Sequence, residues 1–230
     1  MTLLAIDTSG SVTRVAVGDL DGGLRRALRA PAGRDAGTGL PGLLAALAGE
    51  IPGGLRTIAA IGVATGPGSF TGLRVGLAVA KTLAWDLAVP LAGIRTGDAL
   101  RRAAVGRAGA AAAACAVIRP AGVRERTLDL PDADPVVLSV DGDPRALLAG
   151  RPALAVGAPA PVDLPCLPGW TSAALGAAAE EDVAGALLRI LAERRAAERM
   201  DDVATLGPLY VTAPRGAAAM EVTRWSPDLA

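Results

Sequence analysis

The run Gly66-Pro67-Gly68-Ser69-Phe70-Thr71-Gly72-Leu73-Arg74-Val75-Gly76 leads straight into an apolar helical pattern over residues 72–87. It constrains the fold more than any other part of the chain. Glycines at 66, 68 and 72 allow positive φ and close approach of a second backbone or a ligand. Pro67 fixes its own φ and removes a donor. Ser69 or Thr71 is placed to cap the helix that follows. Such a turn sets backbone N–H groups at the positive end of a helix, where anions bind. The same residues equally suit a tight strand-to-helix connection that holds no ligand.

The flanking pattern supplies strands and helices in alternation. Residues 2–7 are almost continuously apolar, as in a strand buried on both faces. Residues 12–17 alternate, and Asp19-Leu20-Asp21-Gly22-Gly23 turns the chain into a third strand near 24–29. A loop over 30–39 precedes a helix over 40–49, with Leu40, Leu43, Leu44 and Leu47 on one stripe. Strands are expected over 57–64 and 89–94, and a helix over 97–104. Beyond residue 108 the pattern weakens. Paired strands are expected within 112–118 and 123–130, then strands over 136–140 and 153–156 with a short helix at 145–148. Two helices, over 171–179 and 182–198, close the chain. The alternation predicts an α/β fold.

The glycine run, taken with Leu4-Ala5-Ile6-Asp7-Thr8-Ser9, resembles the TsaB (YeaZ) family of tRNA threonylcarbamoyladenosine biosynthesis proteins. The resemblance covers residues 1–97 and reappears at Pro208-Leu209-Tyr210. It implies an actin-like ATPase, ribonuclease H-like fold of two lobes, the second reduced. The lobes are expected over 1–97 and 98–212, with a flexible tail over 213–230. Asp7, Thr8 and Ser9 are similar to the first phosphate loop of actin-like ATPases, D-x-G-[ST], except that the glycine follows the serine. Asp7, Thr8, Ser9, Gly66, Gly68 and Ser69 are therefore the candidate nucleotide- or phosphate-binding residues, and an Asx turn ending the strand is the competing reading.

Composition removes several chemistries. The chain has no histidine, which excludes His-dependent triads, His proton shuttles and imidazole metal ligands. The family's catalytic relative TsaD carries an H-x-x-x-H metal motif on the helix corresponding to about residues 34–45. This chain reads Arg34-Asp35-Ala36-Gly37-Thr38-Gly39-Leu40-Pro41 there and supplies neither ligand. No metal and no catalytic residues are expected. Formal net charge is zero, and Lys81 is the single lysine among 23 basic residues. A neutral chain without a basic cluster has no electrostatic footprint for holding RNA by itself. The two cysteines, Cys115 and Cys166, form no C-x-x-C pair and suit a reducing, cytoplasmic setting. The start does not read as a signal peptide, and the longest uncharged apolar run, 108–118, is too short to span a bilayer.

On the helix over 72–87, Gly76, Ala80 and Ala84 recur every fourth residue, flanked by Leu73 and Leu77. Small residues on one ridge permit close helix packing. Because the family pairs through its first two helices, the resemblance implies an interface made of Leu40, Leu43, Leu44, Leu47, Leu73, Gly76, Leu77, Ala80 and Ala84; packing of this stripe wholly within the chain is the competing reading. It further implies a non-catalytic scaffold that binds and activates TsaD together with the ATPase TsaE. The chain would form a homodimer when alone, meet tRNA only through the complex, and have no membrane role. ATP or ADP at a partner interface is left open as a cofactor, and a weak ATPase of the actin-like superfamily is the alternative function.

Overall fold

A computed structural model describes residues 1–32, 39–157 and 164–211. The expected flexible tail over 213–230 and most of the loop before the first helix lie outside the described residues. A meander of β1 (Thr2–Asp7), β2 (Val12–Gly18) and β3 (Leu24–Pro31) leads into α1 (Leu40–Glu50). Then come β4 (Ile58–Gly66), α2 (Phe70–Leu87), β5 (Leu91–Arg95) and α3 (Thr96–Ala108). The second half contains β6 (Ala116–Pro120), β7 (Glu125–Asp129), β8 (Val136–Ser139), α4 (Arg145–Leu148), β9 (Ala153–Ala155) and α5 (Ser172–Ala196).

The first sheet has the order β3-β2-β1-β4-β5, with β1 antiparallel to β2 and parallel to β4. This is the ribonuclease H-like arrangement of actin-like proteins. The second sheet runs β8-β7-β6-β9, again an antiparallel meander whose first strand pairs in parallel with the strand after a helix. It reproduces the first sheet without its fifth strand, so the second lobe is a reduced copy of the first.

Strict alternation along β1 and β4 divides the first lobe into three layers. Leu4, Ile6, Ile61 and Val63 face α1 and α2, while Leu3, Ala5 and Ala60 face α3 and α5. With aromatics at 2% of the chain, leucine and alanine fill both layers. Glycine brings α5 close to the second sheet: a Cβ at Gly176 would stand closer than 3.0 Å to the Ala155 carbonyl oxygen on β9.

Three local expectations are corrected. The two closing helices are one, α5. The acidic run Glu180-Glu181-Asp182 sits inside it, and arginines from other elements neutralise it. Arg14 reaches Glu180 at 3.3 Å, and Arg107 pairs with Glu181 and Asp182. The first part of the expected 112–118 strand is a 3₁₀ turn over Ala110–Ala114, consistent with the weak strand preference of alanine. Val123 is 91% exposed in the turn between β6 and β7, outside the strand expected there.

Two glycines in helices should respond oppositely to alanine. Gly106 in α3 has open space around it, so Gly106→Ala should stabilise by about 0.5–1 kcal/mol through helix propensity. Gly176→Ala drives a methyl into a backbone carbonyl and should destabilise by about 2 kcal/mol or more. Urea unfolding monitored by circular dichroism measures both.

Candidate interlobe site and helical surface

The end of β1 is closed by Asp7. Its Oδ1 accepts the Ser9 N–H at 2.9 Å, forming an Asx turn, and its Oδ2 lies 3.4 Å from Arg14. Both side chains of that ion pair are buried, and Arg14 also reaches Glu180 on α5. Burial without such partners would cost several kcal/mol per charge, so the sequence needs all three groups together.

The glycine run presses against this turn. Added Cβ atoms at Gly68, Gly72 and Gly76 would come closer than 3.0 Å to Ser9 O, Thr8 O and Thr8 Oγ1 respectively. The Ser69 N–H donates to Ser9 O at 2.8 Å. Ser69 is the N-cap of α2, its Oγ accepting the Gly72 N–H at 3.2 Å. The structure thus brings Gly68 and Ser69 against Ser9, while Gly66 borders Leu73 and Leu209 instead. Ser9 against Gly68 and Ser69, and Thr8 against Gly72 and Gly76, occupy the space that a phosphate cradle would leave open. The N–H groups of Ser9 and Ser69 are spent internally. The Pro208-Leu209-Tyr210 segment seals the back of the run: the Leu209 N–H donates to Thr65 O at 2.7 Å, and the Leu209 carbonyl borders Gly66, whose φ is +108°.

The residue that the sequence reading missed is Arg119, at the end of β6. Its Nη1 donates to Pro67 O at 2.8 Å and Ser9 Oγ at 3.3 Å, and its Nη2 donates to Ser9 O at 3.1 Å. One side chain of the second lobe thereby bolts together both loops of the first. The sequence signal was an arginine closing an otherwise apolar strand, Ala116-Val117-Ile118-Arg119-Pro120. Burial pushes its guanidinium pKa down, partly offset by Asp7 and Glu180. Arg119 lines a cleft of about 440 Å³ between the lobes, with Ser9, Gly10, Ser11, Gly157 and Glu180. A neighbouring cavity of about 290 Å³ shares Ser69, Pro120 and Gly122 with it and ends at Phe70 and Tyr210. These are the only Phe and Tyr of the chain. Their rings lie 4.9 Å apart, with the Arg74 guanidinium 5.3 Å from the Phe70 ring.

The expected interface stripe is corrected. Leu40, Leu43, Leu44, Leu47, Leu73, Gly76, Leu77, Ala80 and Ala84 are all buried within this chain. Gly76 lies against Thr8, and most of the others pack against β1, β2 and β4. The 3.6-residue period located a core-facing stripe. The faces of α1 and α2 turned to solvent are different: Pro41, Ala45 and Ala46 on α1, and Val75, Ala78, Thr82 and Trp85 on α2. Trp85 is 82% exposed. A groove of about 420 Å³ runs between the starts of the two helices, lined by Gly39, Leu40, Thr71 and Val75. Among the described residues, no group of three His, Cys, Asp or Glu could hold a metal, and no helix is long and apolar enough to cross a membrane.

Residues 32–119 match the family model of TsaD, tRNA N6-adenosine threonylcarbamoyltransferase. A 45-residue stretch is 44% identical to the tRNA threonylcarbamoyladenosine biosynthesis protein TsaB of Bacillus subtilis (strain 168), and this match spans 20% of each chain. Two solved structures share the fold across nearly the whole length. One is an uncharacterized protein with similarity to peptidase YEAZ from Pseudomonas aeruginosa, with a TM-score of 0.64 at 22% identity, covering 92% of this chain and 99% of that one. The other is YeaZ from Pseudomonas aeruginosa, with a TM-score of 0.61 at 22% identity, covering 91% and 99%.

Asp7→Ala leaves the buried Arg14 with Glu180 as its remaining ion-pair partner and frees the Ser9 N–H. It should cost about 3 kcal/mol of stability by urea titration. Cys115, buried in the core, has its thiol pushed up to about 11 from 9.0. Because the neutral thiol is favoured in the fold, its contribution is complete below about pH 9 and is lost as pH rises toward 11. Cys115 should therefore resist thiol reagents at neutral pH in the native protein and react on unfolding.

Proposed function

We propose that this chain, which belongs to the TsaB/YeaZ family, is a non-catalytic scaffold in tRNA threonylcarbamoyladenosine biosynthesis. It binds TsaD and holds it in a state competent to transfer threonylcarbamoyl to the adenosine next to the anticodon. The observation that carries this reading is the solvent face of α1 and α2. With every leucine of the inner stripe committed to the core, α2 is a rigid element. What it presents outward is Val75, Ala78 and Thr82 beside the charged Arg74 and Asp86, with Trp85 as a protruding anchor and Val75 next to a groove. Buried aromatic anchors surrounded by small residues carry most of the energy at protein interfaces. An exposed face of this kind on a neutral protein fits a protein partner better than RNA.

In this reading TsaE joins the same assembly, and ATP or ADP, if used, is held where partners meet. tRNA is engaged through TsaD. When TsaD is absent, the same helical face pairs with a second copy. Activation is differential binding: the scaffold favours the competent state of TsaD by the difference in its affinity for the two states. The alternative, a weak ATPase using Asp7 and the 66–72 turn, has less support. The N–H donors it needs at Ser9 and Ser69 are engaged, and Gly68 and Gly72 are filled by Thr8 and Ser9.

Size-exclusion chromatography with light scattering, on this protein mixed with TsaD from the same organism, tests the reading. A heterodimer that displaces the homodimer is expected. Trp85→Ala and Val75→Glu should keep the fold and weaken the complex about tenfold or more, whereas Leu77→Arg should unfold the chain because Leu77 is core. Full-strength binding by both surface variants would overturn the assignment of this face.

A further inference from the structure

Arg119 is incompletely satisfied. A guanidinium carries five N–H donors. Three acceptor contacts, to Pro67 O, Ser9 Oγ and Ser9 O, engage Nη1 and one hydrogen of Nη2. The Nε–H and the second Nη2–H have no acceptor among the described residues. These two donors form the edge that a carboxylate or phosphate grips with two parallel bonds. None of the ion pairs among the described residues includes Arg119. Asp7 and Glu180 are felt at a distance, but each is bonded to Arg14 instead. Among the described residues the group is thus a partly buried cation with no carboxylate in contact, in a site where an unpaired charge is costly.

The surroundings leave room for an occupant. Arg119 lines the interlobe cleft beside the Ser9, Ser11 and Ser69 side chains. Gly10 also borders it, and a Cβ there would stand 3.1 Å from Nη2. Gly157 adds a side with no side chain, its φ being +80°. Glu180 faces the same cleft and opposes excess negative charge. The site therefore suits a single oxyanion group better than a polyphosphate.

We propose that the free edge of Arg119 is an oxyanion subsite in the interlobe cleft, taking the carboxylate or phosphate group of a small ligand. It is distinct from the phosphate-loop reading of Asp7–Ser9 and Gly66–Ser69, whose donors are used internally. It stands whether or not the α1–α2 face binds TsaD. Because the same guanidinium holds Ser9 O and Pro67 O, an anion on its outer edge shares the side chain that positions the start of α2. Occupancy would offset the cost of burying the cation.

The test is amide NMR titration of the full chain with two probes, inorganic phosphate and acetate. Saturable shifts at Ser9–Ser11 and Arg119–Gly122 are expected with at least one probe. The tighter probe identifies the group as phosphoryl or carboxylate. Glu180→Gln removes the repelling charge and should tighten binding about fivefold, the effect of one screened unit charge at short range. Arg119→Gln should abolish saturation. Ser11→Glu, a change at an exposed rim position, should also abolish it by supplying a carboxylate from within the chain, and it decides the matter if Arg119→Gln fails to fold. The proposal is overturned by no saturation with either probe. It is equally overturned by undiminished binding in whichever of the Arg119→Gln and Ser11→Glu variants folds, or by Glu180→Gln leaving the affinity unchanged or weaker.

Discussion

The contact on which this structure depends is the seating of the α2 N-terminus on the turn after β1. Three glycines spaced four apart put the backbone of Thr8 and Ser9 directly against the helix, at distances where no side chain fits. That closeness lets the Ser69 N–H reach Ser9 O, fixes the N-cap, and aims the rest of α2 along the sheet. A turn that could have cradled an anion is instead a joint between two parts of the same lobe. The glycines serve close approach in both readings. What changes is that the approaching group is the chain itself.

Charge is organised around the same joint. Asp7, Arg14 and Glu180 link β1, β2 and α5 in one buried chain of alternating sign. Arg119 adds the second lobe through carbonyls and a hydroxyl rather than a carboxylate. An arginine suits this position because its planar fork can serve several acceptors at once while staying charged. The proposed scaffold role calls for such rigidity: a helical face can favour one state of a partner only if the face itself does not yield.

Much of the first lobe was legible in the sequence. The apolar runs at 2–7 and 57–64, the alternation at 12–17 and the stripe in 40–49 all describe elements buried in a regular way, and each appears with its boundary shifted by a residue or two. The second lobe was less legible because its elements are short and alanine-rich, and alanine fits a helix, a 3₁₀ turn or a core strand alike. The acidic triplet in α5 is neutralised from a distance. Its neutralising arginines, Arg14 and Arg107, lie far away in sequence.

The sequence alone determined the fold class, the absence of histidine chemistry and the family resemblance, because periodicity, composition and a rare glycine spacing are local properties. It also located the apolar stripe on α1 and α2. Only the tertiary structure decided that this stripe faces inward, that Thr8 and Ser9 fill the glycine turn, and that Arg119 bridges the lobes with one edge left free. Those outcomes depend on which surfaces meet across the fold. Residues 9, 67 and 119 share no pattern along the chain, and only packing brings one guanidinium within reach of both loops.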